Sequence, residues 1–376
     1  MSNMEFYTYR IGEVFKRFSS GKTLSEKCIT PNGKYPVYGG NGLRGYTETS
    51  NFNGECIIVG RQGAKCGNVR YFSGEGYMTD HAIVGVANRK YDIKYLSYAL
   101  SSLNLNRLSG QAAQPGLSVT MLKKQKILLP SYENQQKISK IINYYDSLIE
   151  NNNKRIKILE QMAEELYKEW FVKCRFPDYQ NCIFTYMNPT GWVLGAHNDM
   201  LVPENWHFGS LSEIGIFVRG KNITKDKMIE GEIPVVSAGI EPSGYHNEPN
   251  VNGISLTMSA SGANAGYLKY NLGDIWAADC SYYQNDSNIW YVYHSLNFIK
   301  KAIENLQVGS AQPHVYPKNI NKLCIMIPKQ QYIEKFNELV KPFYREINTI
   351  NQKNRNLIKQ RDLLLPRLMS GKLEIK

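Results

Sequence analysis

No uninterrupted apolar stretch in this 376-residue chain approaches the roughly 18 residues a helix needs to span a bilayer, and residues 1–10 carry no apolar signal core. A membrane span and classical secretion are not expected, and the chain reads as cytoplasmic. Cysteine is sparse and odd in number: Cys28, Cys56, Cys66, Cys174, Cys182, Cys280 and Cys324, with no Cys-x-x-Cys pair. A chain of this length needs no disulfide staples, so reduced thiols are expected. The histidines (His81, His197, His207, His246, His294, His314) are scattered, with no His-Glu-x-x-His and no Cys/His cluster, so no metal site is expected. Acids are outnumbered, 33 against 45 lysines and arginines, for a net charge of +12. Hydrophobic residues at 42% and charged residues at 21% describe a folded chain rather than a disordered one, long enough for two or three domains.

What the chain does contain is a second copy of itself. Tyr35-Pro36-Val37 recurs 198 positions later as Ile233-Pro234-Val235. Gly63-Ala64-Lys65-Cys66-Gly67, followed by Tyr71, recurs 199 later as Gly262-Ala263-Asn264-Ala265-Gly266, followed by Tyr270. Gly21-Lys22, Gly45-Tyr46, Asn53-Gly54 and Asp80 match Gly220-Lys221, Gly244-Tyr245, Asn252-Gly253 and Asp279 at the same 199. Gln114-Pro115 and Leu129-Pro130 match Gln312-Pro313 and Ile327-Pro328 at 198. A period this long is a duplicated module, not a solenoid of short repeats. Each copy begins with β-branched and aromatic runs punctuated by glycine, such as Cys56-Ile57-Ile58-Val59-Gly60 and Ile254-Ser255-Leu256-Thr257-Met258, which predict strands. Each ends in a polar helical segment, 133–173 and 331–365.

Spacing of four and three along the first helix selects Ile138, Ile142, Tyr145, Ile149, Asn152, Ile156, Leu159, Ala163 and Leu166. The same phase, 198 later, selects Phe336, Val340, Phe343, Ile347, Ile350, Asn354, Leu357, Arg361 and Leu364. So narrow an apolar seam predicts two long helices packed as an antiparallel coiled coil, with Asn152 and Asn354 as polar interruptions that fix register. At about 1.5 Å per residue the first helix would be on the order of 60 Å long. Pro342 is expected to kink the second helix and Pro366 to help end it. The resulting division is 1–132, 133–173, 174–330 and 331–376. Tandem copies joined this way have a pseudo-two-fold relation that suits duplex DNA.

Motifs of self-contained chemistry fail on inspection. Gly21-Lys22-Thr23 has the ending of a P-loop, but its upstream glycine position holds Lys16, and the second copy reads Gly220-Lys221-Asn222. Asp80 with Asp92-x-Lys94 has the outline of a metal-dependent nuclease, yet Asp279 in the second copy has Tyr291 and Tyr293 at the partner positions, which favours structural acids. Asn188-Pro189-Thr190 lacks the second proline and the aromatic of a loop that grips a flipped base. Neither a Gly-x-Ser-x-Gly elbow nor a dinucleotide fingerprint is present. No catalytic residue and no cofactor is assigned to this chain.

Five segments, in order, carry a family resemblance: Gly39-Gly40-Asn41-Gly42; Gly110-Gln111-Ala112-Ala113-Gln114-Pro115; Leu129-Pro130-Ser131-Tyr132-Glu133-Asn134-Gln135-Gln136; Val202-Pro203-Glu204-Asn205-Trp206; and Pro366-Arg367-Leu368-Met369-Ser370-Gly371-Lys372-Leu373. Together they resemble the specificity subunits of type I restriction-modification enzymes, over essentially the whole chain. The resemblance implies an α+β fold with two tandem target-recognition domains separated by the two long helices, the first 133–173 and the second 331–376. It implies that each domain reads half of a split sequence in double-stranded DNA, while the helices dock two adenine-methyltransferase (modification) subunits. Restriction (motor) subunits could join, and S-adenosylmethionine, ATP and Mg would belong to those partners. One departure is the opening Phe6-Tyr7-Thr8-Tyr9-Arg10-Ile11-Gly12-Glu13, which lacks the usual Pro-Glu-x-Trp lead-in.

Candidate DNA contacts need cationic and amide side chains on adaptable loops, because phosphate contacts position a protein and base-edge contacts specify sequence. The first copy offers Lys22, Arg44, Arg61, Gln62, Lys65, Asn68 and Arg70; the second offers Lys221, Ser259, Ser261, Asn264 and Lys269. The charge is uneven: 1–132 carries +9, 133–173 zero, 174–330 carries −2 and 331–376 carries +5. Basicity therefore supports DNA binding in the first copy and leaves the second to local placement. Rival readings are a stand-alone DNA-binding regulator, a self-contained restriction or modification enzyme, and a tandem binder of carbohydrate or protein.

Overall fold

The computed structural model describes residues 4–63, 65–109, 116–189, 199–307 and 313–373. These form two compact units, Met1–Asn151 with Asn354–Lys376, and Asn152–Lys353. The sequence division follows the ends of helices, whereas the packing divides both long helices near their middles. The fold is α+β in tandem.

In the first unit, strands run in the order Phe15–Ser20, Ala82–Ala87, Phe52–Gly60, Val69–Met78, Tyr35–Gly39, Gly42–Thr47. All neighbours are antiparallel except Tyr35–Gly39 against Val69–Met78, where Val37 pairs with Tyr77 in parallel. The central strand alternates between two cores, as period-two geometry requires. Ile57 and Val59 face a cluster with Tyr95, Leu96, Leu122, Ile127, Ile138, Ile142 and Leu368, while Cys56 and Ile58 face Phe72, Met78 and Val84. A short ribbon, Tyr7–Arg10 against Lys126–Leu129, leads into the first long helix, Tyr132–Tyr167.

The second unit repeats this plan with one break. Val218–Arg219, Cys280–Tyr283, Ser255–Ser259 and Leu268–Asn271 form a four-stranded sheet; Gly244–His246, Ile233–Val236 and Trp276–Ala277 form a three-stranded one. The continuous Val69–Met78 strand of the first copy is interrupted here at Gly273-Asp274, and Asp274 Oδ1 accepts from Gly253 N at 2.7 Å in place of a ladder bond. The parallel pairing survives as Val235 with Trp276, and the ribbon as His207–Ser210 against Cys324–Ile327.

Each unit contains a segment of both long helices. In the first, Ile138 and Ile142 pack with Leu364 and Leu368, and Asp146 meets Arg361 at 2.8 Å, so the segments run antiparallel. In the second, Arg155 meets Glu346 at 2.9 Å and Tyr167 meets Phe336 at 6.1 Å, again antiparallel. Every seam position from Ile138 to Leu166 and from Phe336 to Leu364 is buried or half-buried, including Asn152 and Asn354. The second long helix, Gln330–Met369, runs without interruption through Pro342 and past Pro366. Pro366 therefore does not end it; one missing N–H near a terminus, where few bonds remain, is tolerated. The first helix closes in a π turn, Lys168–Val172, that buries Trp170 and Phe171. All seven cysteines are free, and burial pushes the Cys56 and Cys280 thiols up to about 12.

His294 lies in the second core, its Nε2 2.9 Å from the Tyr344 hydroxyl, and burial pulls its pKa down to about 3. The folded protein keeps this ring neutral, while the unfolded chain protonates it below about 6.5. Stability is then lost as pH falls through 6.5 toward 3. Chemical denaturation should show the second unit losing about 2 kcal/mol between pH 7 and 5, and His294→Gln should flatten that slope.

Candidate nucleic-acid interface

Loops of the first unit converge at the ends of three strands. The loop leaving Phe52–Gly60 is tied down by its backbone: Arg61 N donates to His81 O at 2.9 Å, Leu117 N to Arg61 O at 2.8 Å, and Gly67 N to Gly60 O at 2.8 Å. Gly21 passes so close to the neighbouring strand that a Cβ there would lie 2.1 Å from Met78 O, and Lys22 N donates to that carbonyl at 2.9 Å. Asn51 clamps the same residue from the other side, its amide donating to Met78 O at 2.9 Å and accepting from Met78 N at 2.8 Å.

The second unit reproduces these bonds. A Cβ on Gly220 would lie 2.6 Å from Ala277 O, and Lys221 N donates to that oxygen at 2.9 Å. Asn250 clamps Ala277 at 2.9 and 2.7 Å. Gly266 N donates to Ser259 O at 2.9 Å and Val315 N to Ala260 O at 3.0 Å. The backbone frame is thus shared, while the side chains on it differ.

In the first unit that frame carries cations. Lys22, Lys65, Asn68 and Gln62 are exposed. Arg44 is exposed and pairs with Glu26 at 3.3 Å. The Arg70 guanidinium lies over Gly42, where a Cβ would come within 2.8 Å of it. Arg61 is half-buried, with Nη1 3.3 Å from Ser20 Oγ and 3.4 Å from Asp80 O, while its neighbour Gln62 bridges to Gly116 through backbone. Ala64 and 110–115 lie outside the described residues.

The second unit is only partly as expected. Lys221 is exposed, Asn264 is half-buried, and Lys269 reaches Ile240 O at 3.2 Å, crossing to the same hairpin that Arg70 covers in the first copy. Ser259 is a correction: it is buried and its hydroxyl donates to Ala238 O at 2.9 Å, because the strand runs one residue further than its apolar pattern. It supports the loop from behind. Ser261 is also buried, its hydroxyl bonded to Asp279. Asp279 in turn pairs with Arg219, a residue that loop composition alone did not single out. Arg219 occupies the position of Ser20, immediately before the repeated Gly-Lys. One copy brings an arginine from the central strand toward Ser20 and Asp80; the other brings one from the edge strand toward Asp279. The signal was available in the repeat alignment.

The nuclease-like acids have other roles. Asp92 caps the helix Ile93–Ser102 by accepting from Tyr95 N at 2.7 Å, and Lys94 reaches Asn143 at 2.9 Å. Among the described residues no group of three His, Cys, Asp or Glu is placed to hold a metal, and no helix is long and apolar enough to cross a membrane.

A duplicated α+β frame with loops held by the same backbone bonds in both copies is the class these features define. The family model for the type I restriction modification DNA specificity domain matches residues 2–161 and 203–360, and the chain belongs to that family. It is 30% identical over 306 residues to the specificity subunit of the type I restriction enzyme MjaIX of Methanocaldococcus jannaschii, covering 75% of this chain and 69% of that one. A putative type I specificity subunit of Mycoplasma pneumoniae is 24% identical across 98% of this chain and 96% of its own. The crystal structure of the type I restriction-modification S subunit from M. genitalium shares the fold, with a TM-score of 0.63 at 21% identity over 100% of this chain and 98% of that one.

The asparagine clamps should be structural in both copies. Asn51→Ala and Asn250→Ala each leave the N–H of Met78 or Ala277 without a partner, while the carbonyl keeps its bond from Lys22 N or Lys221 N, so each should lower the unfolding free energy by about 1–3 kcal/mol in denaturant titrations. Asn53→Ala, at an exposed position, should change it by no more than about 0.5 kcal/mol.

Proposed function

We propose that the chain is the non-catalytic, DNA-reading subunit of a cytoplasmic type I restriction-modification complex, each unit reading one half of a bipartite target in double-stranded DNA. The observation that carries this is the shared backbone frame with divergent side chains. A common scaffold carrying Arg61 and Gln62 in one copy, and in the other a buried Ala260 and Ser261 at those positions with Arg219 exposed beside them, suits two readers of different half-sites. The long helices dock two adenine-methyltransferase subunits, and restriction subunits join through that assembly. S-adenosylmethionine, ATP and Mg act in those partners.

In the first domain Arg61 and Gln62 are the base-reading candidates, with Lys22, Lys65, Arg44, Asn68 and Arg70 around them for phosphates and flanking bases. In the net-acidic second domain Arg219, aimed by Asp279, takes the part of Arg61. Lys221, Lys269, Asn264 and Ser261 complete the surface or support it. The apolar seam from Ile138 to Leu166 and from Phe336 to Leu364 holds the spacer helices together as a coiled coil.

Co-expression with the neighbouring modification subunit, followed by mapping of methylated adenines, should reveal a bipartite motif. Methylation without that subunit would instead mark a self-contained enzyme, and a bound split site without any methylation would mark a regulator. Exchanging residues 20–125 for those of another family member should change one half of the motif; a change in both halves overturns the modular reading. Arg219→Ala should weaken binding to the second half-site by about 1–3 kcal/mol, leave the first half unchanged, and reduce discrimination at one or two base pairs. Ile142→Arg combined with Ile149→Arg should abolish assembly with the modification subunit.

A further inference from the structure

We propose that a cavity in the second unit receives an arginine side chain from the modification subunit, an inference that rests on the reading that this chain assembles with one. The cavity, about 330 Å³, lies among the helices Tyr132–Tyr167, Ile289–Phe298 and Gln330–Met369. Glu160, Glu164 and the Lys168 that pairs with Glu164 stand on one side, with Tyr167, Tyr293, Phe298 and Tyr344 as aromatic walls. Carboxylates beside aromatic faces are the chemistry that recognises a planar organic cation.

The first unit shows what such a place holds. There the Tyr98 hydroxyl donates to Asp146 at 2.6 Å; in the second unit His294 and Tyr344, 196 and 198 positions later, make the equivalent bond at 2.9 Å. The two sites are therefore the same place in the repeated fold. In the first unit Arg361 fills it, with Nη1 2.8 Å from Asp146 and Nη2 2.8 Å from Asp362. Stepping back 198 positions, Asp362 becomes Glu164, Ile358 becomes Glu160 and Arg361 becomes Ala163. The second copy thus keeps one acid as Glu164, exchanges Asp146 for Tyr344 while gaining Glu160, and replaces the arginine with a methyl group. A guanidinium held by the chain itself in one copy is, in the other, to be brought by a second chain.

The acids can be recruited. Glu164 is engaged by Lys168 at 2.7 Å, but Lys168 also meets Glu165 at 2.8 Å and retains that partner. Tyr270 donates to one oxygen of Glu160, a bond that Glu160→Gln preserves.

The test has two arms. Titration of N-acetyl-arginine amide into the purified chain, followed by saturation-transfer NMR, should show saturable binding. N-acetyl-citrulline amide, of similar shape without charge, should bind roughly tenfold more weakly or not at all, as should the arginine probe on Glu160→Gln/Glu164→Gln. In the complex, the same double variant should lower affinity for the modification subunit by roughly tenfold, with first-half-site DNA binding unchanged. Equal binding of the two probes, no saturable binding, or unaltered assembly of the double variant overturns the cavity's role. Failure of the unmodified chain to assemble with its modification subunit overturns the functional reading instead, and the probe titration still decides the cavity.

Discussion

The fold depends on an exchange of helix segments between the two copies of the repeat. Leu368, from the end of the chain, is buried with Ile138, Ile142 and the sheet residues Ile57 and Val59 in the first unit. In the second, Tyr167, Trp170 and Phe171, from the middle of the chain, pack with Met258, Tyr291 and Phe336. Fully burying one such side chain is worth about 1.5–3 kcal/mol. Several of them together match the 5–15 kcal/mol by which a domain is usually stable. Neither sheet closes its core with helices from its own copy alone.

That dependence separates what must stay from what can vary. Backbone bonds around Gly21 and Gly220, and the clamps of Asn51 and Asn250, recur because they hold strand ends at fixed distances whatever the loops present. The side chains carried by that frame differ: half-buried Arg61 gives way to buried Ala260, and half-buried Ser20 gives way to exposed Arg219. The net charge of the second copy consequently says little about its strand ends, where Arg219 pairs with Asp279 against a background of acids elsewhere.

Much of this was legible beforehand because duplication makes each copy a control for the other. A constant offset located the repeat, one heptad phase identified both helices, and β-branched runs marked the central strands. The losses have physical causes. An apolar seam shows that a helix is covered but not by which residues, so the split of each long helix between two cores was invisible. The hydroxyl of Ser259 breaks the apolar pattern and reads as the start of a loop, yet a serine satisfied by Ala238 O ends a buried strand. Arg219 lies in a two-residue edge strand without loop signature, and its importance comes only from pairing with Asp279, 60 residues away. The interruption at Gly273-Asp274 reads in sequence as an ordinary turn, and only pairing shows that it divides a sheet.

Because each core is finished by the other copy's helix, the segment that is inherited is not the segment that folds. A stretch of DNA encoding one sheet and its loops can be exchanged between relatives, and the resident helices will still close over it provided residues such as Ile57, Val59 and Met258 keep their shapes. An exchange whose endpoint falls within either long helix alters surfaces in both units at once. Selection would then confine successful crossovers to the borders of the sheets, so that sheets and their loops change as whole modules on a helical frame that changes slowly.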